Sequence, residues 1–430
     1  MRKSNRKSLK KLFFTTLFAS LVFTCGACAK STSGAKENEE NQKNNQSVTT
    51  TSGVETATNL TDAPTATPTE VSVETTPSER SFLPTSNYVK LLGRAAEVEN
   101  TLWLVHSGTG MEFTFTGTSA TIKVKPDSSF MTRSNQARIA IYINGERVVD
   151  DMVDKMEKVY TVFESDVAAE CTVRVVKLSE AAYSTFGITG IEANCIGDIR
   201  PTEQGDKLIE FIGDSITCGY GVDDEDANHH FSTTTEDVTK TYAYKTAQKL
   251  NADYSMVSLS GYGIISGYSG DGNKVPEQTM PQYYEKLGNS GGTYLGDCVA
   301  QETTWDFTKR QPDVVVINLG TNDNSYTKNQ ADKKAEYTAA YVEFLKQVRG
   351  KNPDATILCT LGIMGAELYP CIEDAVKGYI QETGDSKVYT MKFDTQSMLD
   401  GIAADWHPSE KTHEKASEKL TAKIKEIMGW

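Results

Sequence analysis

The chain changes its hydrophobic rhythm near residue 207, and this change limits the folds that it can adopt. Before it, between about residues 88 and 197, short segments alternate apolar and polar side chains, as half-buried antiparallel strands do. After it, apolar runs are separated by helical stretches, and the non-alternating run 314–317 is typical of a parallel strand covered on both faces. We therefore predict an all-β region followed by a parallel α/β region.

The all-β region is predicted to be an antiparallel sandwich over residues 86–200, with a jelly roll as its variety. Asn144-Gly145 lies between two apolar segments and predicts a tight hairpin, because both residues accept positive φ angles. The other strands are predicted at residues 111–115, 120–124, 138–143, 159–163, 171–178 and 186–191.

The α/β region is predicted over residues 201–430. Apolar side chains from Tyr337 to Val348 recur at helical spacing and form one core-facing stripe, and a last helix should follow Pro408 and Ser409. The strands between these helices are predicted at residues 208–212, 254–259, 313–319, 356–361 and 388–393.

The amino terminus resembles an export signal. Residues 1–28 combine a basic start, a short apolar core and small residues before Cys28, which resembles the lipid-accepting cysteine of a bacterial lipoprotein. Cys25 is the second choice for lipidation because the bulkier Thr24 precedes it, and plain secretion is the alternative to a lipid anchor. We expect an extracellular, surface-anchored protein that meets the membrane only through this anchor.

Residues 29–85 are rich in Ser, Thr, Asn, Glu, Pro and Ala, and we predict a flexible tether there. The net charge of -14 disfavours nucleic acid as a partner. The eight cysteines show no zinc-site spacing and assign no disulfide. We expect a monomer that needs no metal and no cofactor.

Residues typical of a serine hydrolase follow the predicted parallel strands. Ser215, Gly261 and Asn322 come after strands, and Asp405 and His407 lie in the last loop. Because ligands gather beyond the carboxyl ends of parallel strands, we expect these residues to converge. Ser215 is the predicted nucleophile, and the alternative for it is a helix-capping serine.

An oxyanion needs hydrogen-bond donors, and three are predicted: the backbone N–H groups of Ser215 and Gly261, and the side-chain amide of Asn322. The structural alternative for Gly261 is a glycine that serves only the turn, and Gly263 is then the second choice as the oxyanion donor. Asn322 has an Asx turn as its structural alternative, and Asp323 is expected to brace the same loop.

His407 is the predicted base among five histidines. His413 is expected on the polar side of the last helix, and the pair His229-His230 in a solvated acidic loop near the site. Asp405 stands two residues before His407, where an extended loop would let it orient the ring. Trp406 is predicted either to contact a sugar ring or to wedge the loop.

These residues resemble the SGNH (GDSL-like) hydrolase superfamily, with blocks around Gly213-Asp214-Ser215, Gly261, Asn322 and His407. Longer stretches, including Ser260-Gly261-Tyr262-Gly263 and residues 405–409, are similar to carbohydrate esterase family 2. The stretch from Leu92-Gly93-Arg94 to residue 118 is similar to the start of that family's jelly-roll domain.

The resemblance implies an enzyme that removes acetyl groups from plant polysaccharides or their oligosaccharides. The chain departs from the superfamily at Ala404, which stands where an aspartate usually precedes the histidine. A backbone carbonyl, such as that of Trp406, is therefore the alternative to Asp405 for orienting His407. Other functions that fit the same residues are an esterase of peptidoglycan or lipid esters, and a glycan-binding surface lipoprotein without activity.

Overall fold

The computed structural model describes residues 75–131, 134–290 and 299–430. The predicted signal, with Cys28 and Cys25, and most of the predicted tether lie outside these residues. Within the described ranges, no helix combines the length and the apolar character that a bilayer span requires.

The first folded region is a sandwich of antiparallel strands, as predicted. Its strands are β1 (Ser78–Phe82), β2 (Lys90–Leu92), β3 (Ala95–Val98), β4 (Thr101–Leu104), β5 (Gly110–Pro126), β6 (Arg138–Ile143), β7 (Glu146–Met152), β8 (Lys158–Lys177), β9 (Phe186–Cys195) and β10 (Arg200–Pro201). They are hydrogen-bonded in the order β3-β4-β9-β5-β8-β6-β7, with β1 on β9 and with β2 and β10 on β5. Asn144 and Gly145 join β6 to β7 with φ angles of 50° and 88°, which confirms the predicted hairpin.

Two strands are longer than the sequence predicts, since β5 and β8 each run through two predicted segments. The register between them shifts beside Gly117, where residues 165–168 of β8 have no partner on β5. Gly117 allows β9 to approach, because a Cβ there would lie 2.2 Å from the carbonyl oxygen of Asn194. Such an irregularity interrupts the alternation of side chains, so one bent strand resembles two in the sequence.

Strand β1 lies inside residues 29–85, so the sandwich begins before the predicted boundary at residue 86. Of its side chains only Phe82 is buried, and the strand is held by backbone pairing with β9. Backbone pairing needs few apolar side chains, which is why composition assigned these residues to the tether.

The second region is a parallel sheet with helices on both faces, as predicted. Its strands are β11 (Leu208–Gly213), β12 (Asp253–Ser258), β13 (Val314–Asn318), β14 (Thr356–Leu361) and β15 (Val388–Lys392). Its helices are α1 (Ser215–Cys218), α2 (Tyr242–Lys249), α3 (Met280–Tyr283), α4 (Thr321–Thr327), α5 (Ala331–Lys351), α6 (Tyr369–Thr383) and α7 (Glu410–Met428). The strand order is β12-β11-β13-β14-β15, and every neighbouring pair is parallel.

Each face of this sheet has its own core. Every residue of β11, β13 and β14 is buried. Helices α5 and α6 cover one face, where the predicted stripe from Tyr337 to Val348 packs against Ile212 and Ile317. Helices α2 and α7 cover the other face and pack against Phe211. Strands buried on both faces read as continuous apolar runs, which explains why the sequence revealed them.

Buried polar contacts join the sandwich to the α/β region. The guanidinium of Arg94, fully buried after β2, lies 3.3 Å from a carboxylate oxygen of Glu210 on β11 and also donates to the carbonyl oxygen of Lys286 at 2.8 Å. No disulfide joins the cysteines in the described part of the chain, and Cys171 and Cys359 are buried thiols.

Candidate active site

The parallel sheet brings the predicted site residues to one edge. Gly213 at the end of β11 is in register with Ser258 of β12 and with Asn318 of β13. The segments that follow these three strands therefore leave the sheet side by side. Ser215 and Asn322 each lie a few residues beyond one of these strand ends.

A tight turn presents Ser215 at the start of α1. A Cβ at Gly213 would lie 2.0 Å from the hydroxyl oxygen of Thr217, so the turn requires glycine. The side chain of Asp214 accepts the backbone N–H of Ile216 at 3.1 Å and caps the helix. Asp214 therefore takes the capping role that was the alternative for Ser215, and the Ser215 hydroxyl is left to contact His407.

The central contact of the site joins Ser215 and His407. Nε2 of His407 lies 2.9 Å from Oγ of Ser215, although the two residues are 192 positions apart in the sequence. This is hydrogen-bond distance, which a serine nucleophile and its general base require.

A backbone carbonyl orients the imidazole. Nδ1 of His407 lies 3.2 Å from the carbonyl oxygen of Ala404, which also accepts the backbone N–H of His407 at 3.0 Å. Because a carbonyl only accepts, Nδ1 must carry the proton in this contact, and Nε2 then faces the Ser215 hydroxyl with its lone pair.

Unusual backbone geometry makes this contact. Asp405 and Trp406 both have left-handed backbones, with φ angles of 48° and 64°, and they turn the chain so that His407 folds back over Ala404. Gly221 lets this loop approach the nucleophile segment, because a Cβ there would lie 2.7 Å from the Ala404 Cβ. Two non-glycine residues in the left-handed region store strain that the surrounding contacts must maintain.

Burial keeps His407 neutral. It lowers the pKa of His407 to about 4, while the Ala404 hydrogen bond and the Asp405 charge oppose this shift. An imidazole with this pKa is unprotonated at neutral pH, so it can accept the serine proton.

The predicted oxyanion donors lie around the same edge. Within the described residues, the backbone N–H groups of Ser215 and Gly261 donate to no acceptor, whereas the N–H of the fallback, Gly263, donates to the carbonyl oxygen of Gln278 at 3.2 Å. Gly261 has a φ of 83°, a conformation that side chains disfavour. Gly261 is therefore the better donor of the two glycines.

The Asn322 amide joins two segments of the site. Its Nδ2 donates to the carbonyl oxygen of Tyr262 at 2.8 Å and makes a longer contact of 3.3 Å with the Asp214 carboxyl. An Asx turn would need the backbone N–H of Asn324 to donate to Oδ1 of Asn322, whereas this N–H donates to the carbonyl oxygen of Gly320 at 3.0 Å. The pKa of Asp214 is raised to about 7, chiefly by burial and also by the Asp323 charge, while the hydrogen bond from the Ile216 backbone N–H lowers it.

Asp323 braces a loop, but this loop is the one that carries Gly261, whereas the sequence predicted the loop of Asn322. Its carboxylate accepts the backbone N–H groups of Ile264, Ile265 and Ser266 at distances between 2.7 and 3.2 Å. Burial raises the pKa of Asp323 to about 6, while these backbone hydrogen bonds lower it. The loop is thereby fixed to the start of α4, next to Asn322.

An aromatic stack covers the other side of His407. The Tyr220 ring is stacked on the imidazole with ring centroids 3.8 Å apart and an interplanar angle of 17°. The Tyr220 hydroxyl donates to Asp405 at 2.7 Å, and the same carboxylate accepts the backbone N–H of Phe231 at 3.0 Å and lies 2.8 Å from Nδ1 of His230. Asp405 therefore anchors the stack and the acidic loop.

Comparisons with known proteins agree with this architecture. A model described as "Carbohydrate esterase 2 N-terminal" matches residues 91–202, and one described as "GDSL-like Lipase/Acylhydrolase family" matches residues 211–415. A crystal structure of a carbohydrate esterase family 2 enzyme with a carbohydrate-binding domain, from Corynascus thermopiles (Myceliophthora fergusii), is 30% identical, has a TM-score of 0.65, and covers 80% of this chain and 100% of that chain. The chain belongs to carbohydrate esterase family 2.

Two curated relatives are similar over shorter stretches. The cellulase/esterase CelE of Acetivibrio thermocellus is 35% identical over 261 residues, which are 59% of this chain and 30% of CelE. An acetylxylan esterase / glucomannan deacetylase of Cellvibrio japonicus is 28% identical over 229 residues, 52% of this chain and 58% of that protein. The chain thus spans 30% and 58% of the length of these two relatives.

In this family 2 chain, the predicted contact between Asp405 and His407 is wrong. The Asp405 carboxylate binds Tyr220, His230 and Phe231, and Ala404 takes the imidazole. The prediction assumed an extended loop, whereas the left-handed turn points the two side chains apart. The alternative of a backbone carbonyl was right in kind but wrong in residue, because the Trp406 carbonyl accepts the Gln396 amide at 2.8 Å.

Of the other four histidines, His106 and His413 are buried and His229 and His230 are exposed. His413 is buried against Tyr242 and accepts its backbone N–H at 3.1 Å, so its predicted place on the polar side of α7 is wrong. His106 is fully buried, as part of the contact between the sandwich and the loop near Gly288. His229 and His230 are exposed beside the site, and the backbone N–H of Asp405 donates to the carbonyl oxygen of His229 at 2.9 Å.

No role was predicted for Tyr220 or for the sandwich residues near the site. Tyr220 lies between two glycines in the nucleophile segment, which was the available signal for it. The Trp406 side chain is 55% exposed, and its two predicted roles, a sugar contact and a wedge in the loop, stay predictions. Tyr268, which is 64% exposed, lies beside Gly261, because its backbone N–H donates to the Gly261 carbonyl oxygen at 2.7 Å.

The described part of the chain has two other candidate ligand sites. A cavity of about 750 Å³ lies between the sandwich and the α/β region at the opposite ends of the strands, beside Leu208 and Asp253, and contains none of the predicted site residues. In the described ranges, the one group with metal-ligand spacing is Glu180, Cys218 and Glu236, whose ligand atoms lie within 4.8 Å of one another.

Proposed function

We propose that the chain is a carbohydrate O-acetyl esterase that acts on plant polysaccharides of the xylan and mannan type, or on their oligosaccharides. The observation that carries this proposal is the 2.9 Å contact between Nε2 of His407 and Oγ of Ser215. Support comes from the relatives' names, which describe a cellulase/esterase and an acetylxylan esterase / glucomannan deacetylase.

The reaction proceeds in two acyl transfers. Oγ of Ser215 attacks the acetyl carbonyl carbon while its proton passes to Nε2 of His407, and the imidazolium then gives this proton to the departing sugar oxygen. The Ala404 carbonyl oxygen keeps the ring in place, because it accepts the hydrogen bond of Nδ1–H in both the imidazole and the imidazolium. A water molecule then attacks the acetyl-enzyme while its proton passes to Nε2 of His407, and the imidazolium returns this proton to Oγ of Ser215 as acetate is released.

The negative charge on the acetyl oxygen would be stabilised by the backbone N–H groups of Ser215 and Gly261 and by the Asn322 amide. The two backbone groups are unoccupied within the described residues. The Asn322 N–H that makes the long 3.3 Å contact with Asp214 would donate a hydrogen bond to the acetyl oxygen. The other N–H would keep its 2.8 Å hydrogen bond to the Tyr262 carbonyl oxygen. Donors placed where charge develops are the largest catalytic contribution in such sites.

The charges around the site favour a neutral substrate. The acidic loop that carries Asp224 and Asp226 is joined to the catalytic loop through His229 and Asp405, and the whole chain has a net charge of -14. Anionic peptidoglycan would be repelled, whereas neutral acetylated xylan or mannan would not. The exposed Trp406 ring, next to His407, offers an apolar face for a sugar.

Product profiling tests this substrate class. The purified chain is incubated with acetylated xylan, acetylated mannan, O-acetylated peptidoglycan and a lipid ester, with the Ser215→Ala variant as background, and acetate or fatty acid is measured. We expect acetate from xylan or mannan at rates well above those from the other substrates. Release only from peptidoglycan or the lipid ester would contradict the polysaccharide assignment.

We also propose that the protein is a surface lipoprotein attached through Cys28. The basic start and the apolar core of residues 1–28 support export, and the small residues before Cys28 support lipidation. Metabolic labelling with a fatty-acid analogue should mark the wild type and Cys25→Ala but not Cys28→Ala. Label that survives in Cys28→Ala would contradict this anchor.

A further inference from the structure

One loop of the sandwich reaches the catalytic edge of the α/β sheet. This sandwich loop, residues 178–185, connects β8 to β9. Its Glu180 and Ala181 have no exposed surface, and the carbonyl oxygen of Leu178 accepts the backbone N–H of Val238 at 3.2 Å. The sandwich loop is therefore packed into the α/β region.

Glu180 binds directly to the loop that carries Gly261, residues 260–266, called here the oxyanion loop. Its Oε2 accepts the backbone N–H of Ser260, the residue before Gly261, at 3.0 Å. Its own backbone N–H donates to a carboxyl oxygen of Glu236 at 2.8 Å, and this second contact fixes Glu180 from the opposite side. Burying a carboxyl group costs free energy that its hydrogen bonds must offset. The hydrogen bonds of Glu180 therefore contribute to the fold or to the site.

We propose that Glu180 is a positioning residue that holds Ser260 so that the N–H of Gly261 points toward the oxyanion. This inference rests on the proposed function, because it takes Gly261 as an oxyanion donor. The peptide group between Ser260 and Gly261 carries that N–H, and Gly261 has no side chain to fix it. Asp323 anchors the loop after Gly261, and Glu180 anchors it before Gly261.

The sandwich loop also supports the base. The Tyr183 ring stacks on Phe231 with centroids 4.6 Å apart, Phe231 lies 4.6 Å from Tyr220, and Tyr220 stacks on His407. One loop of the sandwich thus contacts the supports of both the oxyanion loop and the imidazole. The sandwich is in this respect a part of the catalytic unit.

The hydrogen-bond acceptor, rather than the charge, is the working part of Glu180. Burial raises the pKa of Glu180, while the Ser260 hydrogen bonds and the buried Lys177 ammonium oppose that shift. A carboxyl group offers an acceptor oxygen in either protonation state, and so does a glutamine of the same length. An aspartate keeps the charge but loses the reach to Ser260.

Three variants separate these properties: Glu180→Gln, Glu180→Asp and Glu180→Ala. Their kcat and KM are measured with 4-nitrophenyl acetate well below their melting temperatures, beside wild type and Ser215→Ala. Glu210→Gln is the matched control, because Glu210 is also a buried glutamate that joins the two regions, through Arg94, but lies within β11.

We expect kcat to fall about 10-fold or more in Glu180→Asp and Glu180→Ala with KM nearly unchanged, because small displacements of catalytic groups are costly. Glu180→Gln should stay within about threefold of wild type, and Glu210→Gln should lose stability without losing kcat. Folded Glu180→Asp or Glu180→Ala with wild-type kcat, or a Glu180→Gln as slow as Glu180→Ala, would overturn the proposal. If wild type and Ser215→Ala react equally, the proposed function itself has failed and the inference falls with it.

Discussion

Nδ1 of His407 lies 3.2 Å from the carbonyl oxygen of Ala404, and the Asp405 carboxylate next to it is bonded elsewhere. The serine and histidine of this site therefore form a dyad that the backbone completes. The carbonyl sits in a turn of two left-handed residues, so its position depends on the conformation of the loop rather than on a side chain.

Replacing the Asp405 carboxylate should therefore cost little catalysis. We expect Asp405→Asn to keep kcat within about 10-fold of wild type, whereas loss of a triad aspartate costs about 10⁴-fold in serine proteases. Asparagine tolerates the left-handed backbone, so the turn should persist. The measurement is kcat on 4-nitrophenyl acetate, with His407→Ala as the inactive reference. A loss of about 10³-fold in folded Asp405→Asn would show that Asp405 acts as the third member of a catalytic triad.

The pH dependence should report the lowered pKa of His407. Catalysis needs the neutral imidazole, whose pKa burial lowers from 6.5 to about 4. The rate should therefore be nearly constant from neutral pH down to about pH 5 and fall as the pH passes through about 4. The measurement is kcat/KM against pH, with tryptophan fluorescence to verify folding. A loss of rate centred near pH 6.5 in the folded protein would contradict the lowered pKa of His407.

The sequence could predict elements whose signal is local. Apolar runs marked β11 and β13 because both faces of those strands are covered, and Asn144-Gly145 marked its hairpin by the φ angles it permits. Ser215, Asn322 and His407 were found because parallel strands end at a common edge.

The rest depends on contacts that sequence spacing does not encode. The choice of Ala404 over Asp405 follows from left-handed angles at two non-glycine residues, which most sequences avoid. His413 is buried because α7 packs against Tyr242 at that turn, although its neighbours on the helix are polar. Glu180 reaches Ser260 only through the packing of one region on the other.

Removing the Asn322 amide should damage turnover more than folding. We expect Asn322→Ala to lower kcat about 10²- to 10³-fold, the cost of one oxyanion donor. Asn324→Ala is the matched control, since its amide lies in the same helix and makes only a 3.4 Å contact with Glu367. Both variants are compared by kcat and by thermal melting. A wild-type kcat in Asn322→Ala would contradict the assignment of Asn322 as an oxyanion donor.

Trp406 should contribute to the binding of the sugar and not to the cleavage of the ester bond. The loss of its exposed ring in Trp406→Ala should raise KM for acetylated xylo-oligosaccharides about 3- to 10-fold, the equivalent of about 1 kcal/mol of aromatic contact. The KM for 4-nitrophenyl acetate should not change. Tyr389→Ala removes a 37% exposed ring on β15 and serves as the control. Equal KM values for the oligosaccharide in wild type and Trp406→Ala would contradict the sugar contact, and the Trp406 ring would then have only a structural role in its loop.

Acetate release by wild type and Ser215→Ala tests the central claim most directly. Both proteins are incubated with the same acetylated xylan, after circular dichroism has verified that both are folded. Because the Ser215 hydroxyl is the attacking group, we predict a loss of at least about 10³-fold in Ser215→Ala. Equal release by the two proteins, or none by the wild type on any acetylated glycan, would contradict catalysis at this site and leave only a glycan-binding role.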